Sequence, residues 1–290
     1  MSLNGKLLYT LKGHNKRVKK IAFHPDGKSM ASTSEHTIKV WNEGKLLRTL
    51  RGHTSSVDFL MYTSDGRFLI SASRDTTVRV WNHRTGYHYV LMSRNDDWIM
   101  FDNDRYFDSS RNGGSLVNMV QGITAYGIDQ FAIRNNRPDL MLIKAGFEDN
   151  ELIEYYKSLY RKRIRRSGFS EEKLQDDLHV PTADIKEVKQ EGKFTTLNID
   201  FHDTKYDLKN YHIYINDVSL FGSNGKEITG KKARVKHRLE LTKGNNKNEV
   251  SVINAIGNES FRVLKTLGSH KAIDNAVFVT SSRPDISDNR

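Results

Sequence analysis

Two stretches of this chain are copies of one another, and that repetition limits the fold more than any other feature. GHNKRVKKIAFHPDGKSMASTSEHTIKVWN begins at Gly13, and GHTSSVDFLMYTSDGRFLISASRDTTVRVWN begins at Gly52. His14 and His53, Phe23 and Tyr62, Asp26-Gly27 and Asp65-Gly66, and Ser32 and Ser71 are each 39 apart, whereas Trp41 and Trp81 are 40 apart. One residue has therefore been gained or lost between Ser34 and Trp41 or their counterparts. A matching lead-in, GKLLYTLKGH and GKLLRTLRGH, precedes each Gly-His. A unit repeated at this period cannot bury its apolar face alone and must stack on a neighbour.

Each copy reads as four short strands. Val18–Phe23 alternates, Asp26-Gly27 marks a turn, Met30–Ser34 is short, Thr37–Trp41 alternates again, and Lys45–Leu50 supplies the fourth. Tyr87–Met92 is the expected last strand of the second copy. Four strands in about 40 residues with Gly-His and Trp punctuation resemble the WD-repeat β-propellers. Asn42 and Asn82 stand where that family more often has Asp after the tryptophan.

The resemblance implies a buried hydrogen-bond chain in each unit. A turn aspartate accepts from the Gly-His histidine, which bonds a strand serine, which bonds the tryptophan indole. Each charge-assisted link is worth about 1.5–3 kcal/mol. In the second copy the implied members are His53, Asp75, Ser71 or Ser73, and Trp81; in the first they are His14, Ser32 or Ser34, and Trp41, with Glu35 near the aspartate position. The first blade is therefore expected to be the weaker. In the same family, partner-facing positions lie before the first strand and beside the turn aspartate. These map to Arg17, Ser56 and Arg74, with Lys16 adjacent; the competing reading is a solvated basic rim.

Past Met92 the chain holds no further full repeat. The segment Asp97–Ser110 reads as a partial third blade. Its Trp-containing strand, YFDSS, Gly113-Gly114 and Arg137-Pro138-Asp139-Leu140 resemble the end of the propeller in bacterial proteins that join WD repeats to a caspase-like peptidase. The peptidase itself is not implied, because the chain has no cysteine to act as its nucleophile. Glu148–Arg166 is the best helix, with Leu152, Tyr156, Leu159, Tyr160 and Ile164 on one stripe, acids at its start and bases at its end, as the helix dipole favours. From Pro181 to Leu267, six alternating runs separated by turn residues argue for an immunoglobulin- or fibronectin-like β-sandwich. The expected architecture is mainly β: blades over 1–117, a helical connector over 118–176, the sandwich over 177–268 and a tail over 269–290.

The net charge of +11 is concentrated at one end: residues 1–95 hold 16 Lys/Arg against 6 Asp/Glu. A basic surface attracts acidic proteins, nucleic acid or anionic lipid alike. No window is long and apolar enough for a membrane helix, and with no cysteine the expectation is a cytoplasmic protein. Phosphate-binding glycine loops, His-Glu-x-x-His and Gly-x-Ser-x-Gly are missing from the sequence, so neither catalytic residues nor cofactors nor metal ligands are assigned. His202-Asp203, Asp96-Asp97 and Asp176-Asp177 read as solvated groups. The expected role is an interaction scaffold or sensory region that binds a protein, an acidic one by charge, and self-associates to complete its propeller. The alternative is binding of nucleic acid or another polyanion by the basic repeats.

Overall fold

The computed structural model describes residues 7–269. Along the chain come strands β1 (Val18–Phe23), β2 (Ser29–Ser34), β3 (Thr37–Asn42), β4 (Lys45–Leu50), β5 (Val57–Tyr62), β6 (Phe68–Ser73), β7 (Val78–Asn82), β8 (His88–Arg94), β9 (Asp97–Phe101), β10 (Phe107–Ser109), β11 (Asn118–Gln121) and β12 (Thr124–Gly127). Helices α1 (Ala132–Asn135), α2 (Pro138–Ala145) and α3 (Asn150–Arg166) come next. The fold divides into two compact units, Met1–Ser109 with Pro138–Glu154, and Ser110–Arg137 with Tyr155–Arg290.

In the first unit, β1 to β4 form a four-stranded antiparallel sheet in sequence order, and β5 to β10 form a second sheet, also in sequence order. Both inner hairpins carry an irregularity at the same place, between Val18 and Lys20 and between Val57 and Phe59. The second sheet has six strands, which corrects the expectation of a partial third blade over Asp97–Ser110. Arg94 pairs with Asp97 across a two-residue turn. A turn that short returns the chain beside the strand it has just left and leaves no length for a crossing to a new sheet.

One core lies between these two sheets. Ala22, Ala31, Ile38, Val40 and Leu50 come from the first, and Val57, Leu60, Tyr62, Leu69 and Trp81 from the second. Ile21 and Phe23 lie on the other side of β1 and are 53% and 75% exposed, whereas their repeat counterparts Leu60 and Tyr62 are 8% and 7% exposed. The open edge of the array thus uncovers the first pair and not the second. On the inner strands β6 and β7 of the second sheet, Phe147 stacks on Phe68 at 4.8 Å, and Asn82 donates to the Ala145 carbonyl at 2.7 Å.

In the second unit, β11 and β12 make a hairpin within what reads from sequence as the helical connector. Tyr160 and Ile164 of α3 bury against Phe169 and Ile253. The remaining strands are β13 (Thr182–Glu191), β14 (Phe194–His202), β15 (Leu208–Ile215), β16 (Val218–Ser219), β17 (Lys226–Glu227), β18 (Lys232–Glu240), β19 (Gly244–Asn254) and β20 (Val263–Ser269). They form two antiparallel sheets, β13-β14-β18 and β16-β15-β19-β20, with β17 also on β15. Strict alternation along β14 sends Leu197, Ile199 and Phe201 inward, where they share a core with Ile213, Val250 and Val252. The apolar run Ala276–Val279 lies outside the described residues.

The sandwich closes at one end on polar groups. Asp203 is buried, not solvated: it accepts from His179 Nε2 at 2.7 Å, Asn254 Nδ2 at 3.0 Å, and the Lys205 and Tyr206 amides at 2.7 and 2.8 Å. Asn258 donates to the carbonyls of Asp177 and His179 at 2.7 and 2.9 Å. Asp177 and Asp176 are also engaged, by Lys205 and Tyr206 and by Arg134. A buried carboxylate is tolerable only with its acceptor sites filled, and four donors fill those of Asp203. His202 takes no part in this cluster; its carbonyl accepts from Thr182 across the β13–β14 pair.

Candidate interaction surface

The two sheets of the first unit contain the same polar tie, built to different lengths. In the second, Trp81 Nε1 donates to Ser71 Oγ at 2.8 Å, Ser71 Oγ lies 2.8 Å from His53 Nε2, and His53 Nδ1 lies 2.9 Å from Asp75 Oδ2. An indole only donates and a carboxylate only accepts, so the chain runs one way, from Trp81 through Ser71 and His53 to Asp75. Burial holds the His53 imidazole below its usual range although Asp75 pulls it up, so it is neutral at pH 7. Burial alone would raise the Asp75 carboxyl; donors from Thr77, the Thr54 amide and His53 outweigh it and hold the group far below the ordinary range. Ser73 is not in the chain. Its hydroxyl donates to the Ser55 carbonyl and accepts from the Asp75 amide, closing the turn.

In the first sheet the tie is two links long. Trp41 Nε1 and His14 Nε2 each lie 2.8 Å from Ser32 Oγ, and Ser34 is not a member. The cause is the one-residue slip. Ser34 pairs with Thr37 across a two-residue turn, whereas three residues, Arg74 to Thr76, separate Ser73 from Thr77. The shorter turn has no position for a carboxylate facing the histidine. Glu35 is exposed, with φ of +52°, and its backbone carbonyl accepts from the Val57 amide at 2.8 Å.

Ser71, His53 and Asp75 stand in the order of a hydrolytic triad, but the hydroxyl is 0% exposed and takes the Trp81 proton. A nucleophile must reach the carbon it attacks. This group ties strands together. The histidine's place beside it depends on Gly52, whose φ is +149°; a Cβ there would run into Arg79 Nη1, and Arg79 Nη2 donates to the Gly52 carbonyl at 2.9 Å.

The rim carries the residues singled out for partner contact. Lys16 and Arg17 are exposed. Arg74 is exposed too, but its Nε donates to Asp58 at 2.6 Å, and Ser56 donates to the same carboxylate at 2.8 Å while accepting from Lys19 at 2.6 Å. Asp58 and Lys19 were not singled out from the sequence. The Ser-x-Asp spacing of residues 56 and 58 is the only local sign of this cluster. Exposed pairs of this kind are worth about 0–1 kcal/mol, so a partner carboxylate can replace Asp58 on Arg74.

Residues 5–42 and 44–82 each match the family model for the WD domain, G-beta repeat. They are WD40 repeats. No curated protein matches the chain. Among solved structures, the "Structure of U3-55K" is 21% identical, covering 34% of this chain and 37% of that one, with a TM-score of 0.28. The "Crystal structure of RRP9 WD40 repeats" is 22% identical over 34% and 36%, with a TM-score of 0.28. The WD40 beta propeller domain of Doa1 is 25% identical over 38% and 43%, with a TM-score of 0.29. The chain thus spans less than half the length of each of these structures. Among the described residues, no helix is long and apolar enough to cross a membrane, and no cluster of His, Asp or Glu could hold a metal ion.

Proposed function

We propose that this chain is a non-catalytic protein-interaction scaffold whose first WD40 repeat docks a further blade. The observation that carries this reading is the exposure of Ile21 and Phe23 at positions where the second repeat buries Leu60 and Tyr62 against its neighbour. The repeat itself shows what covers such a face: the side of a blade that presents Ala22, Ala31, Ile38, Val40 and Leu50. The second repeat offers the equivalent side, with Met61 45% exposed and Ile70, Val78 and Val80 half-buried. The occupant we propose is therefore a second copy, joined head to tail, an arrangement that closes into a ring when its rotation allows.

Finer parts of the proposal rest on the sequence. The order of WD40 repeats, connector and sandwich supports a likeness to the regulatory region of bacterial WD-repeat caspase-like proteins and a cytoplasmic setting. An immunoglobulin-type sandwich is supported by a sheet of β13, β14 and β18 facing one of β15, β19 and β20, the A-B-E and C-F-G pattern. The rim residues Lys16, Arg17, Ser56 and Arg74 would add capture of acidic protein surfaces.

Light scattering on the full chain tests the docking. A multimer that falls to monomer in the Ile21→Glu, Phe23→Glu double variant is expected. A wild-type monomer at all concentrations would remove the second copy as occupant. Salt-sensitive binding of generic DNA, lost on reversing Arg17 and Arg74, would favour the nucleic-acid reading.

A further inference from the structure

Between the outer strands of the two WD40 repeats lies a cleft of about 450 Å³ that takes no part in the docking face. Its walls are the end of β4, from Arg48 to Arg51, the turn and first residue of β8, from Thr85 to His88, and the β9–β10 turn at Asn103 and Asp104; Trp81 lies at its floor. The volume is in the range of sites that hold small ligands or short peptides.

Asp104, the acid that lines this cleft, is already engaged, while Arg48 keeps donors beyond its single hydrogen bond. Asp104 is bound by Lys144 at 2.5 Å, and the Tyr87 hydroxyl donates to Asp102 at 2.8 Å. Arg48 is oriented by one donor, Nη2, on the Arg84 carbonyl at 2.5 Å, while its Nε is buried with no partner. The guanidinium Nη1 stands toward Gly86 on the cleft wall, and an arginine–carboxylate bond there would be charge-assisted. Gly86 keeps the space: a Cβ at this position, where φ is +76°, would stand 2.8 Å from Arg48 Nη1 and 3.6 Å from Leu50. Arg51, exposed, stands on the same wall.

We infer that this cleft binds a short acidic peptide segment, with a Glu or Asp carboxylate accepting from Arg48 Nη1 and from Arg51, and an adjoining apolar side chain against Leu50. The inference rests on the scaffold reading and gives it a second, separate contact. A peptide suits the cleft better than a nucleic acid. Trp81 offers no free ring face for a base, being 2% exposed.

Calorimetric titration of the full chain with the blocked peptide acetyl-Gly-Glu-Leu-Glu-Gly-amide tests this. The expected result is measurable binding, weakened about tenfold or more when glutamine replaces both glutamates and by a similar factor in Arg48→Gln. Arg51→Gln serves if Arg48→Gln fails to fold, with about threefold weakening expected for this exposed cation. Lys236→Gln, an exposed cation on β18 of the sandwich, should leave the affinity unchanged. Absence of binding at millimolar peptide, equal binding of the glutamine peptide, or indifference to both arginine variants would overturn the assignment. So would tighter binding of a single-stranded oligonucleotide or inorganic phosphate lost in the same variants. Light scattering separates the two proposals, because Arg48→Gln should leave the assembled mass unchanged.

Discussion

Ile21 and Phe23 in the first WD40 repeat occupy the places of Leu60 and Tyr62 in the second, on strands of the same length and register. One pair faces solvent and the other faces the neighbouring sheet. Two copies of one design thus differ less in what they are than in what stands beside them. Chain-internal differences are smaller: one turn residue, and with it the carboxylate that completes the His53 tie. Position in the stack sets how much each apolar side chain contributes, while the slip sets how much each polar tie contributes.

The largest expected effect tests position. Tyr62→Ala should cost about 3–5 kcal/mol, as for other buried aromatic residues, while Phe23→Ala should stay within about 0.5 kcal/mol in the monomer. Urea midpoints of the two variants check this, and equal losses would mean that the face of β1 is covered in solution.

The slip comes next. Asp75→Ala leaves His53, Thr77 and the Thr54 amide without their acceptor and should cost about 2–3 kcal/mol. Glu35→Ala should cost less than about 0.5 kcal/mol, since the Glu35 side chain is exposed. Comparable shifts in denaturation midpoint would contradict the different turn lengths.

A third effect is pH dependence. Burial, with Arg79 adding to it, lowers His88 from 6.5 to about 4, and burial lowers His53. The unfolded chain therefore binds more protons than the folded one below about pH 6.5. Stability held by these neutral imidazoles is whole above that pH and is lost as pH falls toward 4. Urea midpoints of the first unit at pH 7.5, 5.5 and 4.5 should fall in that order, with a shallower decline in His88→Gln. A flat profile would show that both rings already carry a proton in the folded state.

The smallest expected change is a gain. Glu35, with φ of +52°, sits where side chains are strained. Glu35→Gly should stabilise by up to about 1 kcal/mol, read as a rise in thermal midpoint.

The repeat, its strand boundaries and the alternation of the sandwich were legible because each is a local pattern. Lys45–Leu50 appears in the sequence and in the structure with the same ends. Membership of the tie was only half legible: Ser71 and Ser73, two residues apart, share a face of β6, and the choice depends on position along the strand, since Ser73 at its end closes the turn. The six-stranded second sheet was not legible, since β9 carries a tryptophan that reads as the mark of a new unit. What decides it is the short turn after Arg94, with Asn95 at φ of +56°. The Arg48 cleft was beyond the sequence altogether, because its walls come from three separate turns and strand ends that only packing brings together. Asp203 looked like a surface acid for the same reason: its donors Asn254 and His179 are 51 and 24 residues away.

That separation bears on the order in which the molecule assembles. The two WD40 sheets are meanders in which each strand pairs with its sequence neighbour, so they can form as the chain is made. The sandwich cannot. β14 must wait for β18, and the contacts of Asn258 with Asp177 and His179 bridge 81 and 79 residues. Long loops must close before such contacts repay their entropy. The sandwich should therefore be the slow-folding unit, and its polar end, with Asp203 at the centre, should be among the last regions to gain protection from hydrogen exchange during refolding.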